Sequence, residues 1–160
     1  MSGPQRPRGI VVLGVGNPIM ADDGLGLVLL ERLRAARPDP RVQYVDGVAG
    51  GLELLPEVTE ASRLLILDAV AGRQPGECRQ VEGDAITVAL GSKLSPHQVG
   101  LLDVLGAARL LGQEPDQVTV VGVTPAAVEL GLELTPVVQA ALDGAVARAV
   151  GVLDAWLAEA

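Results

Sequence analysis

The residues of this 160-residue chain best suited to chemistry are Asp23, Asp68 and His97. Each is expected at the end of a strand or the start of a helix, and in an open α/β sheet ligands bind beyond the carboxyl ends of the strands. His97 is the only histidine. Because a helix N-terminus disfavours the charged imidazolium, its ring is expected to be neutral and able to bind a metal. Two carboxylates and one imidazole would supply three metal ligands and leave positions open for a substrate.

Each of these residues also has a purely structural interpretation. A single histidine at a helix start is most often a surface residue, and an aspartate that ends a strand, such as Asp68, is often half-exposed and structural. Asp46 ends another predicted strand, at the position where a dinucleotide-binding fold places its ribose-binding acid. Residue types and spacing therefore leave a metal site and a set of structural side chains as equal alternatives.

Other kinds of catalytic site are poorly supported. The chain has no G-x-S-x-G turn, and Ser95 is only two residues from His97, an unsuitable arrangement for a nucleophile and its base. One histidine cannot supply H-E-x-x-H, and a phosphate-binding G-x-x-x-x-G-K loop is absent. Glu77 beside the lone Cys78 would oppose a thiolate, which argues against a cysteine nucleophile.

A glycine-rich turn carries the first of the three residues. It runs from Gly14 to Gly26, follows an apolar run at 10–13 that predicts a buried strand, and leads into apolar residues at helical spacing. Asp22 is expected to cap this helix, which leaves Asp23 without a structural role. Nucleotide binding is the alternative for the turn, but the dinucleotide fingerprint requires a third glycine where Ile19 stands.

The elements that must position these residues alternate between strands and helices. Further strands are predicted at 41–46, 63–68, 78–81, 85–90 and 117–123, and further helices at 52–59, from Pro96 to Gly112, and from Pro136 onward. The run that Asp68 closes is continuously apolar, as expected for a strand buried on both faces of a parallel sheet. The alternation predicts an α/β fold with a mostly parallel sheet and helices on both faces.

Composition sets limits on partners and location. The length predicts one domain, at 9–160, after a flexible N-terminal segment at 1–8. The formal net charge of −8 argues against nucleic acid and anionic membranes as partners, and an aromatic content of 1% excludes base stacking. The lone Cys78 fits a reducing compartment, and no apolar run reaches the length of a membrane span. We therefore expect a cytoplasmic protein.

Four short motifs resemble the hydrogenase maturation endopeptidase family, which trims the C-terminal extension from the large subunit of nickel–iron hydrogenases. They are, in order, Gly14-Val15-Gly16-Asn17, Asp22-Asp23-Gly24-Leu25-Gly26, Leu67-Asp68-Ala69 and Lys93-Leu94-Ser95-Pro96-His97-Gln98. Each motif is weak alone, but four in order at the family's spacing are specific. The resemblance covers residues 9–157. It implies a three-layer α/β/α fold of the phosphorylase/hydrolase-like type with about five strands.

The resemblance also implies roles for individual residues. The family's catalytic residues and metal ligands fall on Asp23, Asp68 and His97, with Asn17, Asp22 and Asp46 in supporting positions. It further implies an aspartic-type endopeptidase without an organic cofactor. This enzyme would act as a monomer on a hydrogenase large-subunit precursor and recognise nickel already inserted there. A non-catalytic nickel- or nucleotide-binding module on the same scaffold is the alternative.

Overall fold

A single sheet connects the strands of the described part of the chain. The computed structural model describes residues 9–48, 51–91 and 96–159, and at 91 and 96–99 it describes the backbone alone; the segment 1–8 lies outside these residues. The strands are β1 (Gly9–Gly14), β2 (Val42–Asp46), β3 (Ala61–Ala69), β4 (Cys78–Glu82) and β5 (Gln117–Val123). Their spatial order is β2-β1-β3-β5-β4, with β4 antiparallel to β5 and the other pairs parallel.

Helices cover both faces of the sheet, which confirms the predicted three-layer α/β/α fold. They are α1 (Leu25–Ala36), α2 (Leu55–Glu60), α3 (Ala85–Gly91), α4 (Pro96–Leu110) and α5 (Pro136–Ala158). Short 3-10 turns at Ala21–Gly24 and Leu52–Leu54 precede α1 and α2. Helices α1 and α5 pack on one face, and α2, α3 and α4 pack on the other.

The core follows the two-residue period of the strands. Along β3, Leu65 and Leu67 face α1 and α5, while Leu64 and Ile66 face the opposite helices. All four are fully buried, and each such side chain contributes about 1.5–3 kcal/mol relative to remaining exposed. Trp156, the single tryptophan, is buried on the α1–α5 face.

The segment 85–90 is a helix, so the predicted strand there is wrong. Its β-branched residues Ile86, Thr87 and Val88 favour a strand by composition. The buried residues, however, are Ile86, Ala89 and Leu90, at positions i, i+3 and i+4, while Val88 is exposed. That is helical spacing. The helix follows a turn in which Gly83 takes a positive φ of 61°.

Helix α5 is long, and one of its faces belongs to the core. Among the described residues it alone is long and apolar enough, by length and composition, to cross a membrane. Its buried stripe packs against the sheet and against α1, and exposed ion pairs join Arg32 to Asp143 and Arg37 to Asp154 across the two helices. The apolar content of α5 is therefore explained by its place in the folded protein.

A glycine in α1 sets the distance between that helix and the sheet. A Cβ on Gly26 would collide with the carbonyl oxygens of Val15 and Leu67 and would lie 3.1 Å from the Cα of Asp68. Since these are backbone atoms of neighbouring segments, they cannot yield without moving the sheet.

We expect Gly26→Ala to lower the free energy of unfolding by about 3 kcal/mol, because overpacking at this contact forces helix and sheet apart. Gly144→Ala is the matched control. Gly144 is an exposed helical glycine in α5, and a Cβ added there would have nothing within 4 Å of it, so alanine should raise stability by up to about 1 kcal/mol. Urea unfolding followed by circular dichroism measures both. Equal effects of the two variants would contradict the close-contact explanation.

Candidate functional site

The strand order reverses between β1 and β3, and we call the carboxyl edge of the sheet at this point the crevice. From β1 the chain runs through α1 on one face of the sheet to β2, whereas from β3 it runs through β4 and then through α3 and α4 on the other face to β5. Ligands of open α/β sheets bind where the strand order reverses in this way. Asp23 follows β1 and Asp68 is the penultimate residue of β3, and both side chains are buried.

The 3-10 turn Ala21–Gly24 holds Asp23 against the end of β1. The N–H of Asn17 donates to the carbonyl of Asp23 at 3.3 Å, and the Oδ1 of Asn17 accepts the N–H of Ile19 at 3.2 Å. A Cβ on Gly16 would collide with the carbonyl oxygen of Asp23, so glycine is required for this close approach. Asn17 therefore shapes the turn that carries Asp23.

Asp68 lies on the face of the sheet that α4 covers. It shares the two-residue period of Leu64 and Ile66, which pack against that helix layer. Its Oδ1 accepts the N–H of Ala69 at 2.7 Å. Because Gly26 of α1 approaches the Asp68 backbone directly, the segments that carry Asp23 and Asp68 are in contact.

His97 lies in the first turn of α4, and its side chain is outside the described residues. Past the other end of that helix, the N–H of Asp116 donates to the carbonyl of Ser62 at the start of β3. The 15 residues of α4 span about 22 Å, about the length of β5. The backbone of His97 is therefore at the same sheet edge as Asp68.

The predicted grouping of Asp23, Asp68 and His97 stays a prediction. Among the side chains that the structure describes, no three carboxylate, imidazole or thiol groups gather closely enough to hold a metal ion, and the imidazole of His97 is not among them. Ser95, two residues before His97, also lies outside the described residues.

Asp22 does not cap α1, which corrects the role predicted for it. Its buried carboxylate accepts four hydrogen bonds from the connection between β5 and α5. The N–H groups of Ala126 and Ala127 donate to Oδ2 at 2.8 and 3.0 Å, and Thr135 donates its N–H to Oδ1 and its hydroxyl to Oδ2, both at 2.7 Å. Thr135 likewise precedes α5 without a side-chain capping bond of its own. Asp22 therefore fixes the 126–135 connection to the turn that carries Asp23.

The 126–135 connection belongs to the carboxyl edge of the sheet, and the sequence patterns did not predict it there. Backbone bonds join the N–H of Ala21 to the carbonyl of Gly131, and the N–H of Gly131 to the carbonyl of Ile19, both at 2.9 Å. They hold Ala21 in the left-handed region at φ 48°. Because β3 lies between β1 and β5, this contact passes across the carboxyl end of β3. The sequence signal that could have found it is the alternation of valine or leucine with glutamate or glycine at 128–134.

The hydrogen bonds to Asp22 should make its contribution to stability depend on pH. Burial alone would raise the pKa of this carboxyl, but the bonds from Thr135, Ala127 and Ala126 outweigh it and lower the pKa. We expect Asp22→Asn to reduce the free energy of unfolding by about 2–4 kcal/mol at pH 7, since an amide nitrogen cannot accept these bonds.

The same destabilisation should persist at pH 5. A carboxyl whose pKa is lowered by folding contributes fully above the ordinary aspartate pKa of 3.8, and that contribution is lost as the pH falls through the lower folded value. Urea unfolding at pH 7, 5 and 3.5 measures the difference between wild type and variant. The control is Asp143→Asn, which removes an exposed ion pair and should leave the free energy of unfolding unchanged. If wild type and Asp22→Asn were equally stable at pH 5, the lowered pKa of Asp22 would be contradicted.

Asp46 shapes the neighbouring loop from an exposed position. It ends β2 opposite Gly14 of β1. Its Oδ1 accepts the N–H of Val48 at 3.0 Å, and the carbonyl of Val48 accepts the N–H of Gly16 at 2.9 Å. This chain of bonds links the loop after β2 to the glycine-rich turn. The supporting role predicted for Asp46 thus has a structural basis, although its part in chemistry stays a prediction.

Two alternative chemistries fit the edge poorly. The glycine-rich turn leads into a 3-10 turn with the buried carboxylates of Asp22 and Asp23, a poor setting for a pyrophosphate. The space beside Gly16, where a pyrophosphate would have to approach, is taken by the carbonyl oxygen of Asp23. Cys78 is partly buried on β4, and burial raises the pKa of its thiol against the opposing effect of Arg148, which disfavours a nucleophilic thiolate.

Comparison with known proteins gives one consistent result. The sequence model of the hydrogenase maturation protease family (HycI) matches residues 28–152. The chain is 36% identical over 148 residues to the hydrogenase 2 maturation protease of Escherichia coli K12, covering 90% of each protein. It is 40% identical over 151 residues to the hydrogenase expression/formation protein HoxM of Cupriavidus necator, covering 92% of this chain and 75% of that protein. The structure of the hydrogenase maturating endopeptidase HybD from E. coli superposes with a TM-score of 0.85 at 34% identity, over 91% of this chain and 92% of that one.

Proposed function

Because this chain belongs to the hydrogenase maturation protease family, we propose that it removes the C-terminal extension of a nickel–iron hydrogenase large-subunit precursor after nickel insertion. The peptide bond would be cut at the crevice between β1 and β3. There the precursor's nickel would be recognised by Asp23, Asp68 and His97. The observation that carries the proposal is the burial of two aspartates on touching segments at this crevice, in a chain of this family.

The donor set supports nickel as the recognised ion. Carboxylate oxygen and imidazole nitrogen are both common ligands of divalent transition metals. Three protein ligands leave further coordination positions, which groups of the precursor would occupy. On this view the nickel arrives as part of the substrate. No organic cofactor is required.

Hydrolysis would proceed by attack of water on the scissile carbonyl. The water oxygen would bond to the carbonyl carbon while a base takes up a water proton; the C–N bond would then break, leaving a carboxylate, and the departing amine would take up a proton. Two sources of activation fit the residues: an aspartate carboxylate acting as general base, or polarisation of the water by the bound ion. The first corresponds to the aspartic-type class of endopeptidase.

The proposed location, oligomeric state and partners follow from the composition of the chain and from the proposed substrate. We propose that the protein works in the cytoplasm as a monomer, without nucleic acid or membrane partners. The net charge of −8 supports the exclusion of polyanions.

The decisive experiment is cleavage of a purified, nickel-loaded precursor. The protein is incubated with the precursor, and loss of one C-terminal peptide is followed by mass spectrometry. Casein serves as the general substrate and should remain uncut, because it carries no nickel for Asp23, Asp68 and His97 to recognise. Failure to cut a competent precursor, while still binding it, would favour a non-catalytic nickel-binding module on the same scaffold.

A further inference from the structure

Among the described residues, the two hydrogen-bonded segments 17–22 and 126–135 at the carboxyl edge of the sheet carry four exposed large apolar side chains. Leu130 and Leu132 are 80% and 83% exposed, and Ile19 and Val128 are 51% and 49% exposed. We call these four residues the Leu130 surface. Single exposed leucines are ordinary in proteins, but a contiguous group often marks an interaction site.

The two chain segments that form the Leu130 surface are bound to one another. Gly131, between the two leucines, exchanges backbone hydrogen bonds with Ile19 and Ala21. The carbonyl of Ala127, next to Val128, accepts the N–H of Asp22 at 3.1 Å. The surface is thereby fixed at both ends to the turn that carries Asp23, so its position relative to the crevice is set by hydrogen bonds.

We propose that the Leu130 surface docks an apolar segment of the precursor polypeptide beside the scissile bond. This inference rests on the proposed function and adds a second point of contact to it. One contact would be the nickel in the crevice, and the other would be apolar residues of the precursor on Ile19, Val128, Leu130 and Leu132.

The size and charge of the surface favour this occupant over a second copy of the chain. Four side chains offer a few hundred Å², on the order of the largest apolar patch on an ordinary monomer. A stable dimer needs about 800 Å² per partner, whereas a segment held also at the crevice needs less. Glu129 and Glu133 alternate with the leucines, so an acidic segment would be repelled and an apolar or basic one accepted.

The test compares two pairs of leucines at opposite edges of the sheet. Leu130→Ser/Leu132→Ser removes the centre of the Leu130 surface. Leu110→Ser/Leu111→Ser is the matched control at the far end of α4, where the two leucines are 91% and 59% exposed. Cleavage of nickel-loaded precursor gives KM and kcat for each protein. Binding of the uncleaved precursor is followed separately by biolayer interferometry.

We expect the Leu130/Leu132 variant to raise KM by about 10- to 100-fold with kcat changed less than about twofold, as for loss of uniform binding energy. The control should stay within about twofold of wild type in both constants. If the wild type cuts the precursor and the KM of the Leu130/Leu132 variant is unchanged, the docking surface is overturned and the proposed function remains intact. Wild type that neither cuts nor binds the precursor would overturn both. A sedimenting dimer that the Leu130/Leu132 variant dissociates would assign the surface to a second copy and also overturn the proposal.

Discussion

Nickel-free precursor is expected to be cut at least about 100-fold more slowly than the nickel-loaded form, a difference worth about 3 kcal/mol of recognition. The reason is that Asp23, Asp68 and His97 would contact the precursor through the ion. Without it, two buried carboxylates would face a substrate that offers them no cation. The metal contact would then act as a checkpoint, since only a loaded precursor assembles the complete site.

The measurement is a time course of C-terminal peptide release from matched loaded and nickel-free preparations. Reloading the nickel-free preparation should restore cutting, which controls for damage to the precursor. Equal rates for the two preparations would eliminate the checkpoint and leave the peptidase. The apolar contact at the Leu130 surface predicts that nickel-free precursor still binds weakly, because that contact does not depend on the ion.

Asp68→Asn is expected to reduce kcat for the loaded precursor by about 10³-fold or more, in the range of lost catalytic carboxylates. Asparagine has nearly the same shape, and its amide oxygen can still accept the N–H of Ala69, so the fold should be retained. Asp23→Asn should have a similar effect. Asp23→Glu should keep most activity because the longer side chain retains the carboxylate.

Two further variants separate ligands from neighbours. His97→Ala removes the only histidine and should abolish most Ni²⁺ binding measured by calorimetry. Asp46→Asn should lose no more than about tenfold in kcat/KM, as for a residue that supports the site indirectly. Unchanged Ni²⁺ affinity in His97→Ala would place the metal elsewhere. An Asp46 effect as large as that of Asp68 would make Asp46 part of the reacting centre.

Local sequence patterns were sufficient for most of the sheet. The strands β1 and β3 contain continuous apolar runs, at 10–13 and 64–67, and burial on both faces is the physical cause of such runs in parallel strands. The same pattern located Asp68 at the carboxyl end of β3, but it did not show that the side chain is fully buried. The helix at 85–91 was missed because three β-branched residues outweighed a short helical period in the pattern.

The role of Asp22 could not be predicted from local patterns. Its hydrogen-bond partners are 104, 105 and 113 residues away in the chain, and no periodicity connects segments at that separation. An aspartate before a helix has the local signature of an N-cap, which is why capping was the natural prediction. Only the tertiary fold shows that the carboxylate accepts hydrogen bonds from another loop.

Trp156 gives the protein a single built-in fluorophore of its kind, far from the site. Helix α5 begins next to Thr135, which is bonded to Asp22, and its 23 residues extend about 35 Å. Trp156 is near the other end of that helix, buried among aliphatic residues between α1, α5 and the sheet. Its emission should therefore be blue-shifted in the native state and should shift to the red on unfolding. Intrinsic fluorescence then reports whether a variant is folded, and the Trp156 emission should not change when nickel or precursor binds at the crevice.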